Sequence, residues 1–152
     1  MKRFFALILV ALVLLAALPM AATAASQDKL VSTFTEYFDD GSYAVTNVYE
    51  SAIQPRTGKS GYAETSYYTA NSTLIFIVGV QGSFEYTYGV SVKATSATAS
   101  VAVYDSKTSF VSKNAYTSGA SAIGSGTVSY SGSTITRTAK VTCDKYGNLS
   151  YS

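Results

Sequence analysis

The chain has 152 residues, with eleven Lys and Arg against nine Asp and Glu, no histidine, no tryptophan and a single cysteine. Without histidine the commonest general base and the commonest metal ligand are both missing, which excludes a serine triad and an ordinary zinc site, and one cysteine excludes a disulfide within the chain. The positive excess resides in Lys2 and Arg3; without them nine basic residues balance nine acidic ones, which leaves no electrostatic footprint for nucleic acid or an anionic membrane.

Those two cations open a leader. An uncharged apolar stretch follows from Phe4 to Leu18, then Pro19 and the small residues Ala21, Ala22, Thr23, Ala24 and Ala25. Positive end, apolar middle and small-residue site form the pattern of a secretory signal peptide, cut between Ala24 and Ala25 because Ala22 and Ala24 suit the protease pocket. The fifteen apolar residues fall short of the roughly 20 that span a bilayer core. Residues 1–24 are therefore expected to leave, and residues 25–152 to form one secreted domain with no membrane span. Cys143 lies far from the cut, so no lipid anchor is expected there.

The remaining sequence is rich in Ser, Thr, Tyr, Val and Ala and sparse in charge, a composition that suits pleated, half-buried surfaces. Leu30 to Phe38 alternates, placing Leu30, Ser32, Phe34, Glu36 and Phe38 on one side. Asp39-Asp40-Gly41-Ser42 then turns the chain into Tyr43 to Glu50, a strong hairpin signal. Ser51 to Gly61 reads as an exposed connection. Tyr62 to Tyr68 alternates again, and Leu74 to Val80 is the most apolar run, expected to be a strand covered on both faces. Gly82 is expected to kink or bulge the chain, and Gly89 to permit a turn.

Between Val92 and Val101 the apolar positions change parity, so a turn or bulge is expected within Thr95 to Ser100. Val101 to Tyr104, Phe110 to Tyr116 and Ile123 to Tyr130 follow as short strands, and Ser131-Gly132-Ser133 closes a hairpin. Thr134 to Cys143 puts Ile135, Ala139, Val141 and Cys143 on an apolar face, with Arg137 the exception at its rim. Asp144 to Asn148 turns into a last short strand, Leu149 to Tyr151. Strands at this spacing predict an all-β fold, an antiparallel immunoglobulin-like β-sandwich, with a barrel as the alternative.

Chemistry on this frame would have to come from carboxylates, and nothing in the spacing of the nine selects a glycosidase pair. The turns Asp39-Asp40-Gly41 and Asp144 to Asn148 hold oxygen ligands beside glycine but too few for a calcium loop, and they read as turns. No catalytic residue, metal site or cofactor is expected. The thirteen tyrosines remain, as strand residues or as a stacking face for sugars or a contact face for a protein. Tyr67, Tyr68, Tyr86 and Tyr88 are the candidate ligand contacts, with Tyr62 and Tyr104 beside them. Cys143 continues an apolar face and reads as a small buried hydrophobe.

The segments TAKVTCDKYGNLS at Thr138 to Ser150, GSFEY at Gly82 to Tyr86 and YDSKTSF at Tyr104 to Phe110 resemble a group of small secreted proteins of Gram-positive gut bacteria, over about Tyr43 to Ser150. The resemblance implies a β-sandwich outside the cell and adds no activity. The group carries tryptophan where this chain has Phe76 and Phe110 and a second cysteine where it has Ala94, which implies a lost disulfide between the positions of Ala94 and Cys143. The expected function is therefore extracellular, non-catalytic binding or a structural role, loosely associated with the envelope. A carbohydrate or cell-wall module using its tyrosines is one alternative and a small carboxylate-dependent hydrolase another. The partner is open between a cell-wall glycan and another surface protein.

Overall fold

The computed structural model describes residues 27–55 and 57–151. The leader and its cut at Ala24 and Ala25 lie outside the described residues. Nine strands and no helix make up the described chain: β1 (Lys29–Tyr37), β2 (Tyr43–Glu50), β3 (Lys59–Tyr68), β4 (Leu74–Thr87), β5 (Ser91–Val103), β6 (Thr108–Ser118), β7 (Ser121–Tyr130), β8 (Ser133–Cys143) and β9 (Leu149–Ser150). They form a five-stranded sheet, β1-β2-β3-β4-β5, and a four-stranded sheet, β6-β7-β8-β9, with every pairing antiparallel. Within each sheet every strand pairs with its sequence neighbours, and the chain changes sheet between β5 and β6, so both sheets are meanders. Immunoglobulin domains interleave strands between sheets by Greek-key crossovers, and this chain shares with them the two-layer architecture but not that order.

Local chemistry explains the turns. Gly41 sits at φ 79° between Phe38 and Ser42, a left-handed conformation that costs a glycine little. Ser131 and Gly132 both have positive φ in a two-residue loop between paired Tyr130 and Ser133, the geometry whose twist matches the flanking strands. The Asp40 carboxylate accepts hydrogen bonds from the Ser42 amide and hydroxyl. Asp144 accepts from the Tyr146 and Asn148 amides and the Asn148 side chain. Those bonds, led by the Ser42 hydroxyl and the Asn148 side chain, hold both carboxyls below the usual carboxylate range, because they favour the ionised form.

The sheets face each other across a core that includes Val48, Ala63, Phe76, Val78, Val80 and Phe84 from one and Ala122, Val128, Ala139, Val141 and Leu149 from the other. Gly124 and Gly126 of β7 let the layers approach. A Cβ on Gly126 would lie 2.5 Å from a Val101 methyl and 2.8 Å from a Val78 methyl. The buried hydroxyls of Thr46 and Thr65 bond to each other, and Thr65 reaches the Thr138 carbonyl of the opposite sheet at 3.1 Å, so these two hydroxyls are satisfied between the layers. Ala94 and Cys143, buried on opposite sheets, donate their amides to Gly119 and Ala120 of the same turn.

Several sequence expectations are corrected. Leu30 does not share a face with Ser32, Phe34 and Glu36, because a bulge at Val31 shifts the register and pairs Leu30 with Tyr49. The bulge expected at Gly82 lies just beyond it: β4 continues through Gly82, and its register with β5 shifts between Ser83 and Phe84, where Thr95 of β5 is the extra residue. The change of parity between Val92 and Val101 is thus one bulge inside one strand. Of Leu74 to Val80, the second sheet covers the face carrying Phe76, Val78 and Val80, and Ile75 and Gly79 are buried as well; Leu74 and Ile77 are half-buried and no residue of the run is exposed.

Candidate functional site

Among the described residues no second layer covers the outward face of the five-stranded sheet. Directly paired residues share a face of a sheet, and the pairings set four rows across this one. Leu30, Tyr49, Tyr62, Gln81 and Thr98 form the first; Thr33, Asn47, Glu64, Gly79 and Ser100 the second; Thr35, Val45, Ser66, Ile77 and Ala102 the third; Tyr37, Tyr43 and Tyr68 the fourth. Tyr49 stacks on Tyr62 with ring centroids 4.7 Å apart, and Tyr43 on Tyr68 at 4.9 Å. Two aromatic pairs therefore bracket a band of mostly small and polar residues, with Val45 and Ile77 as its aliphatic members.

A cleft of about 590 Å³ opens beside the first pair, bordered by Tyr62, Glu64, Gln81, Thr98 and Ser100, with Gly79 in its lining. Gly79 leaves this space free: a Cβ there would meet the Ser100 hydroxyl at 2.4 Å. The β2–β3 loop borders the cleft through Ile53, which is 84% exposed. Gln54 braces that loop, donating to the Ser60 carbonyl and accepting the Ser60 amide, and Asp28 accepts the Ala52 amide at 2.7 Å. Burial, reinforced by the charges of Asp28 and Glu64 and by a hydrogen bond to Asp28, pushes the Tyr62 phenol up to about 12. It therefore remains a neutral donor across the physiological range.

No family model, curated protein or solved structure matches this chain.

The four tyrosines expected as a contact face do not form one. Tyr67 is 5% exposed, its ring packed against Phe38 and Phe76 and its hydroxyl donated to Ser42, so it belongs to the core. Tyr68, the next residue, points to the opposite face, as alternation requires, and reaches the open surface beside Tyr43. Tyr86 packs on the 144–148 turn, where a Cβ at Gly147 would meet its ring at 2.8 Å. Tyr88 is 75% exposed and meets Tyr146 edge-on at 5.3 Å. Tyr43 and Tyr49 were missed by the sequence reading, yet a signal existed: each lies six residues from another tyrosine position in the same strand, Tyr43 to Tyr49 and Tyr62 to Tyr68, the spacing that a single antiparallel register superimposes twice.

Among the described residues no group of three His, Cys, Asp or Glu could hold a metal ion. The single thiol is inaccessible. Cys143 is 1% exposed and points its sulfur at the Asp144 carbonyl; burial, with a smaller effect of the Asp144 charge, raises its pKa to about 11. A thiol reagent at pH 8 is expected to leave Cys143 unmodified in the native protein and to label it in denaturant, whereas prompt native labelling would show that this end of the sandwich is open. The stabilisation conferred by keeping the thiol neutral is fully present below about pH 9, where the unfolded thiol is also protonated, and is lost as the pH rises through about 11.

Proposed function

We propose that this is a secreted, non-catalytic β-sandwich protein that binds glycan chains of the cell wall or its surroundings, and that the Tyr62 cleft on the outward face is where it does so. Export rests on the leader: Lys2 and Arg3, the apolar run from Phe4 to Leu18, and the small residues before Ala25. The resemblance to small secreted proteins of Gram-positive gut bacteria agrees with that compartment and with a two-layer fold. The observation that carries the binding reading is the Tyr62 ring beside a cleft that Gly79 keeps open, with Glu64, Gln81 and two hydroxyls around it. An aromatic face suits the C–H face of a sugar, and carboxylate, amide and hydroxyl groups suit its rim.

Tyr62→Ala is expected to weaken retention on cell-wall or polysaccharide preparations by about 1 to 2 kcal/mol, close to 5- to 30-fold, the size of a lost aromatic contact. Tyr88→Ala, outside the cleft, should leave it unchanged. Equal retention of parent and both variants would overturn the assignment. Asp28 and Glu64 border the same cleft, and this is the one observation that favours the hydrolase alternative. Under that reading Glu64→Gln would abolish polysaccharide turnover by the parent while sparing retention.

A further inference from the structure

A second cleft, of about 540 Å³, lies at the end of the sandwich formed by the β1–β2, β3–β4 and β7–β8 turns, and Arg137 and Asp40 both border it. Arg137 lies on the inward face of β8, opposite Gly126 of β7. Its guanidinium carbon sits 4.1 Å from the centroid of Phe38 and 4.2 Å from that of Tyr67. The two rings, their centroids 6.0 Å apart, make a corner of aromatic surface in which the cation is held. Its Nη1 donates to the Thr136 carbonyl at 2.8 Å, while Nε is buried and has no partner. Among the described residues the ion pair found is Lys59 with Glu50, and no carboxylate pairs with Arg137.

A cation with an unsatisfied, buried donor is expensive to maintain, and an anion seated against the part of the guanidinium that borders the cleft would offset that cost. We propose that this cleft binds the carboxylate of an acidic sugar, with Arg137 as the receiving group. A carboxylate matches the planar fork of a guanidinium. Asp40 borders the cleft with its Oδ1 already engaged by Ser42 and within electrostatic reach of Arg137; its charge disfavours a dianion such as phosphate. Ser131, Ser133 and Thr134 on the rim complement further hydroxyls, and the volume is that of a small-molecule site. The assignment is independent of the Tyr62 cleft, since the two share no lining residue.

The test is a nuclear magnetic resonance titration of the full mature chain, following the Arg137 Nε–H signal with sodium glucuronate, glucose and inorganic phosphate as separate probes. Glucuronate is expected to shift the signal saturably and glucose to leave it in place. Arg137→Lys keeps the charge but loses the fork and should bind glucuronate about tenfold more weakly, with its amide spectrum reporting whether the fold is intact. A signal unmoved by glucuronate, phosphate binding as tight as glucuronate, or an undiminished affinity in folded Arg137→Lys would each overturn the proposal. If that variant does not fold, the titration of the parent chain decides alone.

Discussion

Phe76→Ala is expected to destabilise the protein by about 3 to 5 kcal/mol, the cost of emptying an aromatic site in a packed core. Phe76 has no exposed surface and stands on the inner face of β4, the strand that pairs with both β3 and β5 in the larger sheet. Its ring meets Tyr67 at 5.6 Å, and Tyr67 is itself held by Phe38 and by the Ser42 hydroxyl. The neighbours are therefore fixed by other contacts and cannot collapse into the space. A domain of this size is typically stable by about 5 to 15 kcal/mol, so the variant should be close to unfolding, and urea denaturation followed by circular dichroism would measure the loss. The exposed Lys93→Ala should stay within about 0.5 kcal/mol of the parent. A Phe76→Ala loss equally small would mean that the second sheet does not cover β4.

Gly126→Leu is expected to be at least as damaging, for the opposite reason. A side chain at this position must start within 2.5 Å of Val101 and 2.8 Å of Val78, and both neighbours are β-branched residues with stiff side chains on the facing sheet. Overpacking of this kind costs about 1 to 3 kcal/mol for added methylenes and more where the backbone must separate, so a leucine here should force the layers apart. Combining it with Val101→Ala should recover part of the loss, because that change removes the methyl at the closest contact. Thermal melts of the parent, the single variants and the double variant would measure the coupling. Additive effects would show that the glycine is not where the sheets meet.

The amino-acid sequence by itself determined what depends on neighbours along the chain. Asp39-Asp40-Gly41, Tyr88-Gly89, Ser131-Gly132 and Asp144 to Asn148 all mark turns, because positive φ at glycine and side-chain caps from aspartate are local demands. The inward face of β8 was equally legible, since alternation puts Ile135, Ala139, Val141 and Cys143 on one side. That same rule separates Tyr67 from Tyr68, so the expectation that both contact one ligand ran against the alternation already present in the strand.

Only the tertiary structure decided matters that rest on which strands meet. The pairing of Tyr49 with Tyr62 follows from the β2–β3 register, and the open cleft at Gly79 from the position of Ser100 across β4 and β5. Sequence alternation recognised Arg137 as an exception on an apolar face, but its rings come from β3 and from the β1–β2 turn, far away in the chain. Likewise the need for glycine at positions 124 and 126 of β7 comes from Val78, Val80 and Val101 of the opposite sheet. Which of two chemically similar faces is buried is a property of the second layer, and a pattern within one strand carries no record of the strand that covers it.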